Sequence, residues 1–147
     1  MRYAWLLMIA FTSAASAAEV GPCNDLDRVS LLVGQTKSYA DGKIRVAHVD
    51  TDGEPVCCSS HLLIFIPGPD IGSHCFALSQ QAAKNSGTAR GFSNIEFARI
   101  KGTYDARRGL QLSVPYRLYG GDGGRGKPGS VNVRVDLRDQ GSVRVEP

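Results

Sequence analysis

The sequence predicts an all-β fold: a small, disulfide-stapled antiparallel β-sandwich, with a β-barrel as the alternative. Three observations support this fold class. Apolar residues alternate with polar ones in most segments after residue 30, which is the pattern of half-buried strands. Turn-forming residues separate these segments at short intervals, as they do in sandwiches and barrels. The chain also has four cysteines, and an even number is typical of a disulfide framework.

The first predicted hairpin turns at Asp41-Gly42. Both residues tolerate a positive φ, which the tightest hairpin turns require. Segments 31–33 and 37–39 lead into this turn, and a strand is expected over 44–49.

Segment 56–66 is predicted to be the central strand of a sheet. It carries the adjacent Cys57 and Cys58 and then the unbroken apolar run 62–66. Such a run is typical of a strand that is covered on both faces. A Pro-Gly-Pro sequence ends it, and a further short strand is expected over 74–78.

Residues 79–94 are the least strand-like stretch of the domain. Ser79 is a suitable N-cap for a short helix near 79–85, with Gly87 just beyond its end. A structured loop is the alternative.

Two hairpins are predicted in the last third of the chain. A five-residue loop over 105–109 places apolar residues of both strands on one face. Its register gives the pairs Tyr104–Leu110, Ile100–Val114 and Ala98–Tyr116. A three-residue loop over 139–141 supplies Gly141 at the left-handed bulge position. Its register pairs Leu137–Val143 and Val135–Val145 inside, and Asp136–Arg144 and Arg134–Glu146 outside.

A glycine-rich segment, 120–129, separates these hairpins. Five of its first seven residues are Gly, and glycine loses much conformational entropy when it is ordered, so a mobile loop is expected. Loops on a rigid sheet scaffold commonly carry recognition. The long loops 79–94 and 119–130 are therefore the predicted contact surfaces.

The first 18 residues have the three parts of a cleavable secretory signal peptide. Arg2 is the positive region, 4–11 is the apolar core, and 15–17 form an Ala-x-Ala cleavage pattern. The apolar core is about half as long as the roughly 20 residues that span a bilayer. We expect cleavage after Ala17 or Ala18, which leaves one β domain over 19–147 and no membrane span. The protein is expected to be exported, periplasmic in a Gram-negative bacterium and secreted otherwise.

The mature chain is expected to carry little net charge. Without Arg2 it holds 16 basic and 14 acidic residues, a net charge of +2 at pH 7. A charge this small argues against a nucleic acid or a membrane surface as partner. The expected partner is a protein or another envelope component, and no cofactor is expected.

The four cysteines are Cys23, Cys57, Cys58 and Cys75, and an oxidising compartment favours two disulfides. A bond between the adjacent Cys57 and Cys58 would close a strained ring. Adjacent side chains of a strand also point to opposite faces of the sheet. We therefore expect one of these two cysteines to bond Cys23 and the other to bond Cys75. The sequence does not decide which goes where.

A copper or zinc site is the alternative role of this region. Sulfur and imidazole ligands suit both metals, and the candidate ligands are Cys57, Cys58, His61, His74 and Cys75. Strand geometry opposes the site, because Cys57 and His61 would lie about 13 Å apart on an extended strand. It would require reduced cysteines and an irregular backbone.

A basic binding surface is a further candidate. After Arg134 and Arg144 are assigned acidic neighbours across the strands, four of the other bases of the region are expected on loop tips: Arg107, Arg108, Arg125 and Lys127. This placement favours a soluble surface over a site for a polyanion.

An enzyme is less favoured than a binding protein, because the chain has no Gly-x-Ser-x-Gly nucleophile motif. A small envelope hydrolase or transferase stays open as an alternative. It would need His48, His61 or His74 to lie beside a carboxylate in a pocket. The leading hypothesis is an exported, non-catalytic interaction or structural module.

Overall fold

The structure is a computed structural model that describes residues 18–24, 26, 35–52, 57–68, 71–82, 89–121 and 126–147. Within these ranges the chain forms ten strands. Three predicted features lie outside the described residues: the signal peptide up to residue 17, segment 31–33 and Arg125. No helix of the described part is long and apolar enough to cross a membrane.

The strands form two antiparallel sheets, one from each half of the domain. The first sheet has the order β1-β5-β4-β3-β2. Its strands are β1 Glu19–Pro22, β2 Gln35–Tyr39, β3 Ile44–Asp50, β4 Ser60–Pro67 and β5 Ser73–Ser79. The second sheet has the order β10-β9-β8, and two short strands, β6 and β7, share the other edge of β8. Its strands are β6 Asn94–Ile95, β7 Lys101–Asp105, β8 Gly109–Leu118, β9 Lys127–Asp136 and β10 Ser142–Glu146.

The two sheets face each other across one shared core. Leu62 and Ile64 of β4 meet Leu112 of β8 and Val133 of β9 there, and all four side chains are fully buried. The sheets share no strand, so the described strands form the predicted β-sandwich and not a closed barrel.

β4 is the central strand of the first sheet and is covered on both faces. Leu62 and Ile64 point into the shared core, whereas Leu63 points outward and packs with Val49 and Ala77 in a second buried cluster. This confirms what the apolar run predicted. The strand begins at Ser60, however, so the adjacent cysteines precede it.

The predicted disulfide pairing is wrong. Cys23 bonds Cys75, and Cys57 bonds Cys58. Cys23 directly follows Pro22, which pairs with Phe76, so the register of β1 and β5 brings Cys23 opposite Cys75 at a Cα–Cα distance of 5.5 Å. All four cysteines are disulfide-bonded, as expected.

The predicted pairing required Cys57 and Cys58 to lie on a strand. Cys57 lies in a turn and Cys58 in irregular backbone before β4. The alternation of side chains between the two faces of a sheet therefore does not apply to them.

Two of the predicted hairpins are confirmed. The β2–β3 turn contains Asp41 at φ 54° and Gly42 at φ 84°. In the β7–β8 hairpin, Tyr104 pairs with Leu110, as predicted, but Asp105 also pairs with Gly109, so the loop is 106–108 and not the predicted 105–109. The predicted pair Ala98–Tyr116 is wrong, because a 3₁₀ turn over Phe97–Arg99 interrupts the edge strand and Ile95 takes the place opposite Tyr116.

The register of the last hairpin differs from the prediction by two residues. Val143 pairs with Val135 and not with Leu137, so the loop covers 137–141. The Asp136 side chain, at the end of β9, folds over this loop, and its Oδ1 accepts a hydrogen bond from the backbone N–H of Arg138 at 3.0 Å. Arg144 therefore lies opposite Arg134 and not Asp136. A shift of two residues keeps every side chain on its face, so the apolar pattern is satisfied in both registers.

The short helix expected near 79–85 does not begin at Ser79, because Ser79 is the last residue of β5 and Gln81 forms a bridge with Arg90. Residues 83–88 lie outside the described part. In the glycine-rich segment, Lys127 already belongs to β9 and pairs with Leu118. The β8–β9 loop is thus 119–126, and its residues 122–125 lie outside the described part.

Candidate functional site

The two long loops meet at one end of the sandwich, where β5 and β8 end and β4 and β9 begin. We call this end the loop end; its described residues are 57–60, 79–82, 89–96, 117–121 and 126–127. The opposite end, which we call the hairpin end, is formed by the turns 40–43, 106–108 and 137–141, with residues 68, 71 and 72 between β4 and β5 beside them.

A backbone hydrogen bond ties the first loop to the end of β8 at the loop end. Ser93, near the end of the first loop, donates its N–H to the carbonyl oxygen of Arg117 at 3.0 Å. Arg117 is the next-to-last residue of β8, just before the glycine-rich loop. The return of the first loop is also paired with the first sheet, through the bridges Gln81–Arg90 and Ser60–Phe92.

Gly91 allows the first loop to approach β4 closely. Its N–H donates to the Cys58 carbonyl oxygen at 2.7 Å. A Cβ at this position would lie 2.6 Å from the Ser60 carbonyl oxygen and 2.7 Å from that of Cys58. Both contacts are with backbone atoms, so only glycine fits here without a shift of the chain.

Arg90 places its guanidinium on the adjacent disulfide. Nε lies 3.4 Å from Cys58 Sγ, and one terminal nitrogen lies 3.6 Å from Cys57 Sγ. Among the described residues, no carboxylate forms a salt bridge with Arg90. Arg90 gives no signal in the sequence, because more than thirty residues separate it from the cysteines.

A buried hydroxyl lies beneath the loop end. Ser60 Oγ accepts the Ile95 N–H at 3.1 Å and lies 2.7 Å from His48 Nε2. Ile95 is the donor in the first of these hydrogen bonds, so the Ser60 hydroxyl proton is still available. The hydroxyl can donate it to Nε2 of the neutral His48 ring. Burial lowers the pKa of His48, although the Asp50 carboxylate opposes this effect.

His61 makes a similar pair on the outer face of β4. Its Nδ1 lies 2.8 Å from Ser79 Oγ, and its side chain is almost fully buried. Burial lowers the pKa of His61 to about 4, against the opposing effect of Asp50. Both histidines are therefore neutral at pH 7.

These histidine–serine pairs lack what nucleophilic catalysis requires. Ser60 is 2% exposed and Ser79 is 0% exposed, so neither hydroxyl can reach a substrate in this conformation. His74 is exposed, and the shallow cleft beside it is lined by apolar residues, glycine and Cys75, with no carboxylate.

The predicted metal ligands are not brought together. Cys57 and Cys58 form a disulfide with each other, and the His61 ring is hydrogen-bonded to the Ser79 hydroxyl. Cys75 pairs with Cys23 and lies opposite Phe65 in β4, four residues or about 13 Å beyond His61. In the described part of the chain, no group of three or more His, Cys, Asp or Glu side chains is placed to hold a metal ion.

The predicted basic residues are also separated. Arg107 and Arg108 lie in the turn before β8, whereas Lys127 pairs with Leu118 at the far end of that strand. The length of β8 puts about 30 Å between the two positions. Arg108 also pairs with Glu146 at 3.1 Å, so the described members of the set do not form one patch.

The hairpin end carries a cleft that the sequence did not reveal. It has a volume of about 690 Å³ and lies between the β2–β3 turn and the second sheet. Tyr39 and Tyr104 line it, and residues so far apart in the chain give no local signal. Of its charged lining residues, Asp136 and Arg138 pair with each other.

The loop end therefore offers two neighbouring loops, a disulfide in contact with a guanidinium, and an exposed aromatic ring, Tyr119, which is 52% exposed. The Ser60 and Ser79 hydroxyls are buried beneath this surface. Comparisons of the chain with protein-family models, with curated proteins and with solved structures give no significant match.

Proposed function

We propose that the mature chain is an exported, non-catalytic interaction module and that it binds a protein or another envelope component through the loop end. The observation that carries this proposal is the Ser93–Arg117 hydrogen bond. It ties the end of the first loop to the end of β8, from which the glycine-rich loop leaves, so that residues of both loops can contact a single partner together.

The scaffold beneath the loop end is suited to present a fixed surface. Two sheets bury a common core, and the Cys23–Cys75 bond ties the N-terminal strand β1 to β5. Loops on such a rigid framework can vary in sequence without loss of the fold, which is why they often carry recognition.

A compartment outside the cytoplasm suits this module. The three-part N-terminal segment fits a cleaved signal peptide, and disulfides persist in oxidising compartments. In a Gram-negative bacterium the compartment would be the periplasm, and in other sources the exterior of the cell. No specific observation favours the metal-binding or enzymatic alternatives, because their candidate residues are disulfide-bonded, buried or far apart.

A loop-shortened variant tests the proposal. Deletion of residues 122–125 leaves four residues between Leu118 and Lys127, a length that hairpins tolerate. The mature domain and this variant are immobilised and exposed to the native envelope or culture fluid. We expect the deletion to abolish recovery of the partner while the circular dichroism spectrum is unchanged.

The matched control changes the hairpin end. Ile71 is fully exposed there, so Ile71→Ser should leave both the fold and partner recovery unchanged. Recovery that survives the loop deletion and is lost in Ile71→Ser would overturn the assignment of the loop end.

A further inference from the structure

We propose that the Cys57–Cys58 bond is a reversible thiol–disulfide exchange site for a dithiol reductant, and that Arg90 stabilises Cys58 as the sulfur released. This activity is separate from partner binding, and neither depends on the other.

The contacts of Arg90 support a reactive role. Its guanidinium reaches both sulfurs, at 3.4 Å and 3.6 Å. A disulfide sulfur is only a weak hydrogen-bond acceptor, whereas a thiolate gains a charge-assisted hydrogen bond from a guanidinium. The arrangement therefore favours the reduced, thiolate form more than the disulfide form. A carboxylate would compete for Arg90, but in the described part of the chain none pairs with it.

Burial decides which sulfur is attacked. Cys58 is 0% exposed, whereas Cys57 is half-buried and reachable from solvent. The attacking thiolate must approach an accessible sulfur, and the rate rises as the departing thiolate becomes more stable. Attack at Cys57 releases Cys58, which faces Arg90 Nε.

The other disulfide differs in what lies beside its sulfurs and not in burial. Cys23 is 4% exposed and packs with Leu63 and Ala77 against the outer face of the first sheet, whereas Cys75 is half-buried like Cys57. In the described part of the chain, no cationic side chain donates a hydrogen bond to either of its sulfurs. The Cys23–Cys75 disulfide thus ties β1 to β5, whereas the Cys57–Cys58 disulfide has a cation beside its sulfurs that can support exchange.

The exchange balances in two steps. A thiolate of the reductant forms a bond to Cys57 Sγ, and the Cys57–Cys58 bond breaks with its electron pair on Cys58 Sγ. The second thiolate of the reductant then attacks the reductant's other sulfur, which is bonded to Cys57 in the mixed disulfide, and Cys57 is released. The reductant loses two electrons and two protons and becomes a disulfide. The Cys57–Cys58 pair gains the electrons, and the protons go to Cys57 and to Cys58 or solvent.

The test uses the full mature chain and dithiothreitol as the dithiol. Limiting reductant is followed by alkylation and peptide mapping. We expect Cys57 and Cys58 to be labelled while Cys23 and Cys75 stay bonded. With glutathione, a monothiol, we expect the mixed disulfide on Cys57 and the alkyl group on Cys58.

Arg90→Gln tests the role of the guanidinium. The side chain is exposed, so the fold should be kept, as the melting temperature will show. We expect reduction to slow by roughly three- to tenfold and the thiolate absorbance at neutral pH to fall. Arg107→Gln removes the same charge from the hairpin end and should change neither quantity. Simultaneous reduction of both disulfides, glutathione on Cys58, or an unchanged rate in Arg90→Gln would each overturn the proposal.

Discussion

Ser60 Oγ lies 2.7 Å from His48 Nε2, and it accepts the Ile95 N–H at the same time. The hydroxyl thus links the two sheets, since Ile95 belongs to the second sheet and the other two residues to the first. The link works as described only while His48 is neutral, because a protonated ring has no lone pair to accept the hydroxyl proton. His61 must also be neutral in the folded state, because its ring is almost fully buried.

Stability is therefore expected to fall in mild acid. The folded-state pKa of His61 is lowered from 6.5 to about 4, so the contribution of the neutral ring is fully present above pH 6.5. It is lost as the pH falls from 6.5 towards 4. The loss amounts to about 3 kcal/mol of unfolding free energy for His61, and His48 acts in the same direction. Urea unfolding at a series of pH values measures it. In His61→Gln the unfolding free energy should fall less steeply as the pH is lowered from 6.5 to 4. An equally steep fall in that variant would contradict the role given to His61.

The two disulfides should differ strongly in their effect on stability. Cys23 and Cys75 are 52 residues apart, and closing a loop of that length should stabilise the fold by about 4 kcal/mol. The Cys57–Cys58 bond joins neighbours and restricts the unfolded chain little, by about 1 kcal/mol or less. Urea unfolding of the variant with Cys23→Ala and Cys75→Ala, compared with the one carrying Cys57→Ala and Cys58→Ala, measures the difference. Equal losses would indicate a different pairing.

Gly91 should not tolerate a side chain. In Gly91→Ala the new Cβ meets the carbonyl oxygens of Ser60 and Cys58, neither of which can move alone. We expect a loss of roughly 1–3 kcal/mol in thermal or urea unfolding, in line with other overpacked positions. Gly72→Ala is the matched control, because a Cβ there meets no atom within 4 Å. If the two variants have the same stability, the close approach of the first loop to β4 is not as described.

The sequence predicted those parts of the fold in which local chemistry and the apolar pattern agree. Asp41-Gly42 specifies a turn, and the run 62–66 specifies a strand that is covered on both faces. The register of the last hairpin was missed because a shift of two residues leaves Val143 and Val145 facing inward. The disulfide partner of Cys57 was missed because the prediction extended β4 back to include Cys57. No local pattern marks the actual start of that strand at Ser60.

The candidate site was less predictable than the fold. The sequence indicated loops 79–94 and 119–130 from composition, but not that they meet. Their meeting depends on Ser93 and Arg117, which become neighbours only when the second sheet forms. Arg90 has no partner nearby in sequence, so its contact with the disulfide was not predictable.

Partner binding by Tyr119 variants tests the central proposal most directly. Tyr119 is 52% exposed at the loop end, and Tyr104 is 69% exposed in β7 at the hairpin end, so the chain provides a matched pair. The dissociation constant for the recovered partner should be measured for Tyr119→Ala and Tyr104→Ala. We expect Tyr119→Ala to weaken binding by about tenfold or more, as loss of an aromatic anchor does, and Tyr104→Ala to leave it within about twofold. The reverse order would contradict the proposal that the loop end is the binding surface.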